Sequence, residues 1–179
     1  MSTFSIPYPE YDIANILQNK FPKKDNFSVA IPMSRQQKFY DLLLVKGESK
    51  RAVTIQVKSS RTYLPEDSEY QFYSWLNHFD IKDNYSDFYF IYMTFPLFDK
   101  NFKPKAKWDR KILVFNQKEM VKILDNVKTK SGKPERFFSF AFDSSAEFIS
   151  GARGFAHLPK KNYAKNLLEN KLEEIRKKF

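Results

Sequence analysis

The chain contains no cysteine and only two histidines, His78 and His157. Disulfide staples, thiolate zinc sites and cysteine nucleophiles are therefore excluded, and a histidine-rich metal centre lacks ligands. Any metal would be a hard cation on oxygen ligands. No apolar run reaches the length of a transmembrane helix. The start, MSTFSIPYPEYD, lacks the basic-then-apolar order of a secretory signal. Both absences favour an intracellular, cytoplasmic protein with no membrane partner. Glycine is scarce, and Gly151-Ala-Arg-Gly154 lacks the strand-before, helix-after setting of a phosphate loop, so it reads as a turn. Acidic residues are the minority: 21 against 31 Lys and Arg give a formal net charge of +10. A surplus that large points to a polyanionic partner, nucleic acid first; solubility alone is the bland alternative.

Apolar content is ample. Hydrophobic residues make up 42% of the 179-residue chain and aromatics 17%, enough to bury one core without staples and too little for two well-filled domains. Ile13, Ile16, Leu17 and Phe21 mark a helix over 10–20, stopped by Pro22. Strands are expected at 27–31, 39–46 and 52–58, with the polar KGESKR stretch joining the last two as a hairpin. A loop at 61–69 and a helix over 69–80 follow. Further strands fall at 87–95, 111–115 and 137–142, and helices at QKEMVKILDN and over 160–178. The last helix carries the stripe Ala164, Leu168, Leu172, Ile175 and Phe179. Together these predict an α/β sandwich around a mixed sheet flanked by helices.

Three polar side chains interrupt the apolar hairpin. If it pairs symmetrically about residues 46–51, Val45 faces Ala52, Leu43 faces Thr54 and Asp41 faces Gln56. Side chains alternate faces along a strand, so Asp41, Gln56 and Lys58 converge at one end. A one-residue slip would separate them. A plain Asp41–Lys58 ion pair at a strand end would explain two of the three. On the functional alternative each side chain has its own chemistry, a hard carboxylate for a divalent cation and a compact ammonium for a phosphate or attacking water. Glu10 sits three, four and seven positions before Ile13, Ala14 and Leu17, on the core-facing stripe of the first helix. There it either joins the site or favours the helix N-terminus electrostatically. Asp12 falls off that stripe and is expected in solvent.

The run FYDLLLVKGESKRAVTIQVKSSR resembles the core of the PD-(D/E)XK nuclease superfamily, in which an acid on one strand precedes an acid-x-Lys tripeptide on the next. Here these are Asp41 and Gln56-Val57-Lys58. The spacing from Glu10 to Leu17 is similar to the start of Holliday-junction resolvases and Mrr-type restriction endonucleases, and Mrr-type enzymes often carry Gln in the tripeptide. The resemblance covers roughly residues 8–125. It departs at Tyr40, which stands in place of the proline, and at Gln56, which stands in place of the second acid. It implies a restriction-endonuclease-like fold and a Mg²⁺- or Mn²⁺-dependent endonuclease acting on DNA, in restriction or repair. It assigns the metal to Asp41, the Gln56 amide, the Val57 carbonyl and Glu10, with Lys58 completing the catalytic set. An amide oxygen ligates without charge, so an inactive nucleic-acid-binding or interaction protein of the same fold is the alternative reading.

Other residues are weaker candidates. Ser59, Ser60 and Arg61 follow the lysine and suit phosphate contacts. Lys103, Lys105, Lys107 and Arg110, read as a basic loop with Trp108, suit a nucleic-acid backbone with an aromatic platform. Gln71 and Tyr73, in the expected helix after the site, could face it, with a plain helix surface as the favoured alternative. His78 and His157 read as structural. A homodimer is the assembly that would let a one-site chain cut both strands.

Overall fold

A computed structural model describes residues 8–32, 39–64, 69–81, 86–99 and 103–179. The first helix, α1 (Tyr8–Lys20), is followed by β1 (Phe27–Ala30), β2 (Leu42–Lys46) and the long β3 (Arg51–Tyr63). Next come β4 (Phe72–Asn77), β5 (Phe88–Phe98), β6 (Pro104–Asn116) and α2 (Gln117–Asp125). The chain ends with β7 (Phe137–Phe142), β8 (Ile149–Gly151), a 3₁₀ turn at Ala164–Asn166 and α3 (Leu168–Arg176). The result is a mixed α/β protein with three helices among the described residues and a large, mainly antiparallel open sheet.

The sheet has two wings joined through β3. In one, β1, β2 and β3 are antiparallel neighbours, β5 runs parallel to β3, and β6 closes the edge antiparallel to β5. In the other, β4, β7 and β8 pair antiparallel, and the far end of β3 joins β4 at Thr62 and Tyr63. Alternation along the first wing separates two cores. Leu42, Leu44, Val53, Ile55, Val57, Phe88 and Phe90 pack under Ile13 and Leu17 of α1 and Leu168 and Ile175 of α3. Tyr89, Ile91, Met93, Leu113 and Phe115 point the other way, onto α2 and the phenylalanines of β4 and β7. Gln18 fixes α1 to β1 by accepting from the Val29 amide at 3.2 Å and donating to the Phe21 carbonyl at 3.0 Å.

Several expected elements differ. Residues 72–77 form a strand, not part of a helix over 69–80: Phe72, Ser74 and Leu76 alternate inward. The loop expected at 61–69 begins later, because β3 runs to Tyr63; residues 65–68 lie outside the described residues. The expected basic loop over 103–110 is largely the first half of β6, a sheet edge where exposed Lys105 and Lys107 guard unpaired backbone. The C-terminal helix starts at Leu168, not near 160. Asn162 instead accepts from the Ile149 and Ala164 amides, holding that stretch against β8. Gly151 ends β8 within this segment, where an added methyl would land in the Phe155 ring.

A charged clamp ties α3 to the start of α2. The Lys171 ammonium donates to both Glu119 carboxylate oxygens at 3.0 Å and to Glu174 at 2.6 Å, and the Asn116 amide donates to Glu174 at 2.8 Å. Asn116 and Glu119 also form a reciprocal capping box. Burial alone would lower the Lys171 pKa, but hydrogen bonds to Glu174 and Glu119 outweigh it and leave the value raised. Burial alone would raise Glu174, but the bonds from Asn116 and Lys171 leave it lowered. The Glu174 contribution is thus present above the ordinary carboxylate value and lost as pH falls through its depressed one. The Lys171 contribution is present below the ordinary lysine value and lost as pH rises through its raised one. The clamp's full contribution is expected between about pH 4.3 and 10.4. Lys171→Met is expected to cost about 1–3 kcal/mol and to flatten both limbs, measured by urea denaturation across pH.

Candidate active site

The hairpin register matches the symmetric pairing: Leu43 faces Thr54 and Val45 faces Ala52. β2 begins at Leu42, opposite Ile55. Asp41 lies one residue outside it, where its amide donates to the Ile55 carbonyl at 2.8 Å, one position off the ladder register. The paired register ends at Leu42 and Ile55, one residue short of an Asp41–Gln56 pair. The Asp41 carboxylate turns back onto β3 and accepts the Val57 amide at 2.7 Å.

That bond marks a gap in the sheet. β5 holds β3 from Ile55 to Arg61, whereas β2 stops at Ile55 and β4 first pairs at Thr62. From Gln56 to Arg61, the strand neighbour of β3 among the described residues is β5 alone. The N–H and C=O of one strand residue leave on the same side. The Val57 carbonyl therefore opens toward the gap occupied by the Asp41 carboxylate. A carboxylate and a main-chain carbonyl thus face one gap where two strands part, next in sequence to Gln56.

Gln56 and Lys58 lie on the face opposite buried Ile55 and Val57. The Lys58 ammonium rests over the Phe79 ring, 5.0 Å from its centroid. Burial pushes the Lys58 pKa down, and the Asp41 carboxylate partly restores it. Phe79 stacks on Tyr89, the β5 residue level with Gln56. The Tyr89 hydroxyl is buried without a hydrogen-bond partner among the described residues, and burial pushes its pKa up to about 12. Lys58 and Ser59 open into a cleft of about 460 Å³ whose other walls are Tyr63, Trp75, Leu76, Asn77, Phe79 and Phe137.

The remaining candidates divide. Glu10 is buried in the first turn of α1, as its place on the stripe required, but that helix covers the face opposite Gln56 and Lys58. Ser59 and Arg61 are exposed. The Ser60 hydroxyl lies 2.5 Å from the Trp75 carbonyl, so it braces β3 against β4 rather than facing outward for phosphate. Arg110 is ion-paired with Asp12 at 2.5 Å, and Asp12 also accepts the Tyr92 hydroxyl at 2.7 Å. The expectation of a solvated Asp12 therefore fails, because β5 and β6 supply its partners. Lys105 and Lys107 are exposed. Tyr73 sits in β4 opposite Ala141, and Gln71 precedes that strand, so neither faces the site from a helix. His78 and His157 hydrogen-bond main-chain carbonyls of Leu124 and Thr129, consistent with structural roles.

Sequence reasoning missed Trp75, Phe79, Asn77 and Phe137. The signal was present as FYSWLNHF, whose aromatics also fit a helical spacing. Among the described residues, no three His, Asp or Glu side chains gather as a metal site. None of the helices among the described residues is long and apolar enough to cross a membrane. Compared with known proteins, the chain matches no family model and no curated protein.

Proposed function

We propose that the chain is a metal-dependent nuclease of restriction-endonuclease-like fold, cutting phosphodiester bonds of DNA at the gap between β2 and β3. The carrying observation is the Asp41 carboxylate bound to the Val57 amide, beside a Val57 carbonyl directed into the same gap and a Lys58 ammonium within reach of the Asp41 field. The donor set is all oxygen, which fits Mg²⁺ or Mn²⁺ and no soft metal. Asp41, the Val57 carbonyl and the Gln56 amide would hold the ion. Bound there, it would acidify a water and screen the phosphate.

The protein groups have separable roles. Asp41 supplies the site's negative charge and is oriented by the Val57 amide, so it is in place before any ligand binds. Gln56 contributes an uncharged oxygen. Lys58, held over Phe79 in a partly dry setting, presents its positive charge to the developing charge on the phosphate. Ser59 and Arg61, exposed beside the gap, suit the phosphates flanking the scissile one. Lys105 and Lys107 lie two strands away on β6 and extend the basic track. The net charge of +10 supports a nucleic-acid partner whose binding weakens as salt rises.

Metal titration tests this directly. Mn²⁺ binding, followed by electron paramagnetic resonance, is expected for the wild type and lost in Asp41→Ala. Gln56→Glu is expected to bind about tenfold more tightly, ~1.4 kcal/mol, because it restores the missing charge. Equal Mn²⁺ binding by all three proteins would remove the metal from this gap.

A further inference from the structure

We infer that the cleft beside Lys58 receives an unpaired, unstacked nucleobase, so the preferred substrate is single-stranded or locally opened nucleic acid rather than continuous duplex. The inference rests on the nuclease reading only for placing the scissile phosphate at Lys58. The cleft itself carries the argument. Its volume of about 460 Å³ falls within the ~300–1,000 Å³ range of pockets that enclose small ligands. Four of its eight lining residues are aromatic: Tyr63, Trp75, Phe79 and Phe137. Base faces stack on such rings whatever the base, whereas a paired base inside a duplex offers no free face.

Charge complementarity surrounds those rings. The Arg153 guanidinium lies 5.4 Å from the Trp75 centroid and 5.7 Å from that of Phe137. Arg136 lies 5.3 Å from Phe137, and Lys58 lies 5.0 Å from Phe79. Cations over these ring faces put positive charge at the platform itself, which matches a polyanion carrying flat bases. Trp75 is held in place, since Ser60 bonds its carbonyl and β7 pairs with it at Ser139. Trp75, Asn77 and Phe137 share one face of the β4–β7 pair, and exposed Asn77 offers an amide that can donate to or accept from a base edge. An aromatic platform beside the gap has no use on a closed duplex. It has one where a strand turns away from its complement.

The test measures binding apart from cleavage. In Trp108→Phe protein, Trp75 is the sole tryptophan, and its emission reports on the cleft. In EDTA and low salt, a fluorescently labelled single-stranded oligonucleotide is expected to bind at least tenfold more tightly than the blunt duplex of the same sequence. Saturation with the unlabelled strand is expected to quench Trp75. Trp75→Ala should weaken single-strand binding about tenfold and leave duplex binding unchanged. Asn77→Ala, on an exposed side chain, should weaken it less and cannot be dismissed as misfolding. Duplex bound as tightly as single strand, or Trp75 emission unchanged at saturation, would overturn the inference. Trp75-dependent single-strand binding without cleavage in Mg²⁺ would leave it standing while the nuclease reading fell.

Discussion

Lys58→Met is expected to lower the rate of phosphodiester cleavage by about two to three orders of magnitude while making the protein more stable. The rate effect follows from losing the cation placed beside Asp41 at the gap, a loss comparable to removing a preorganised charge-stabilising donor. The stability effect follows from the direction of the lysine shift. Burial depresses the Lys58 pKa in the folded chain, so folding disfavours its protonated form. Between that depressed value and the ordinary 10.5, the unfolded chain binds more protons and stability rises with pH. Methionine keeps the stem and removes the charge, which is expected to contribute ~0.5–2 kcal/mol of stability at neutral pH. Cleavage should also fall on the alkaline side at a pH below 10.5, where the ammonium is lost. Thermal unfolding and a pH–rate profile check both. A less stable variant would mean that Lys58 is held by an ion pair worth more than its burial costs.

Asp41→Ala is expected to abolish cleavage and to loosen the hairpin. Its carboxylate does two things at once: it carries the site's charge and it satisfies the Val57 amide. Losing the second should cost on the order of 1.5 kcal/mol, the lower end for a hydrogen bond to a charged group, because Asp41 is only half-buried. Asp41→Asn separates the roles. An asparagine oxygen still accepts the Val57 N–H, so stability should largely return, but the charge does not and cleavage should stay absent. Chemical denaturation beside a cleavage assay distinguishes the two variants. If Asn restores cleavage, the negative charge at 41 has no catalytic role.

The hairpin was legible in the sequence for a physical reason. Alternation in AVTIQVK fixes which residues face the core, and the polar connection at 46–51 limits the pairing, so Leu43 and Thr54, and Val45 and Ala52, fall opposite each other without tertiary information. The 69–80 segment was not legible in the same way. Phe72, Trp75, Leu76 and Phe79 satisfy helical spacing as well as Phe72, Ser74 and Leu76 satisfy strand spacing, and short apolar runs do not settle the choice. Pairing with β7 settles it. The difference matters for function, because the strand brings Trp75 and Asn77 to Lys58, whereas a helix would have offered Gln71 and Tyr73. Lysines at 105 and 107 concealed a strand because edge strands are charged for solubility, not for turning. Asp12 could be placed only with β5 and β6 in view, since Tyr92 and Arg110 lie eighty and ninety-eight positions away. Glu10 lies in the core-facing stripe of α1 as its spacing indicates, yet its helix lies over the other face of the sheet.

The measurement that bears most directly on the central claim is nicking of supercoiled plasmid DNA in Mg²⁺ or Mn²⁺, with Asp41→Ala and Lys58→Met in parallel and EDTA as control. The predicted result is conversion of supercoiled to open-circular DNA by the wild type alone, at regions the supercoiling opens. Wild type and both variants equally inert, while all three bind DNA, would contradict the claim and leave a nucleic-acid-binding protein without catalysis.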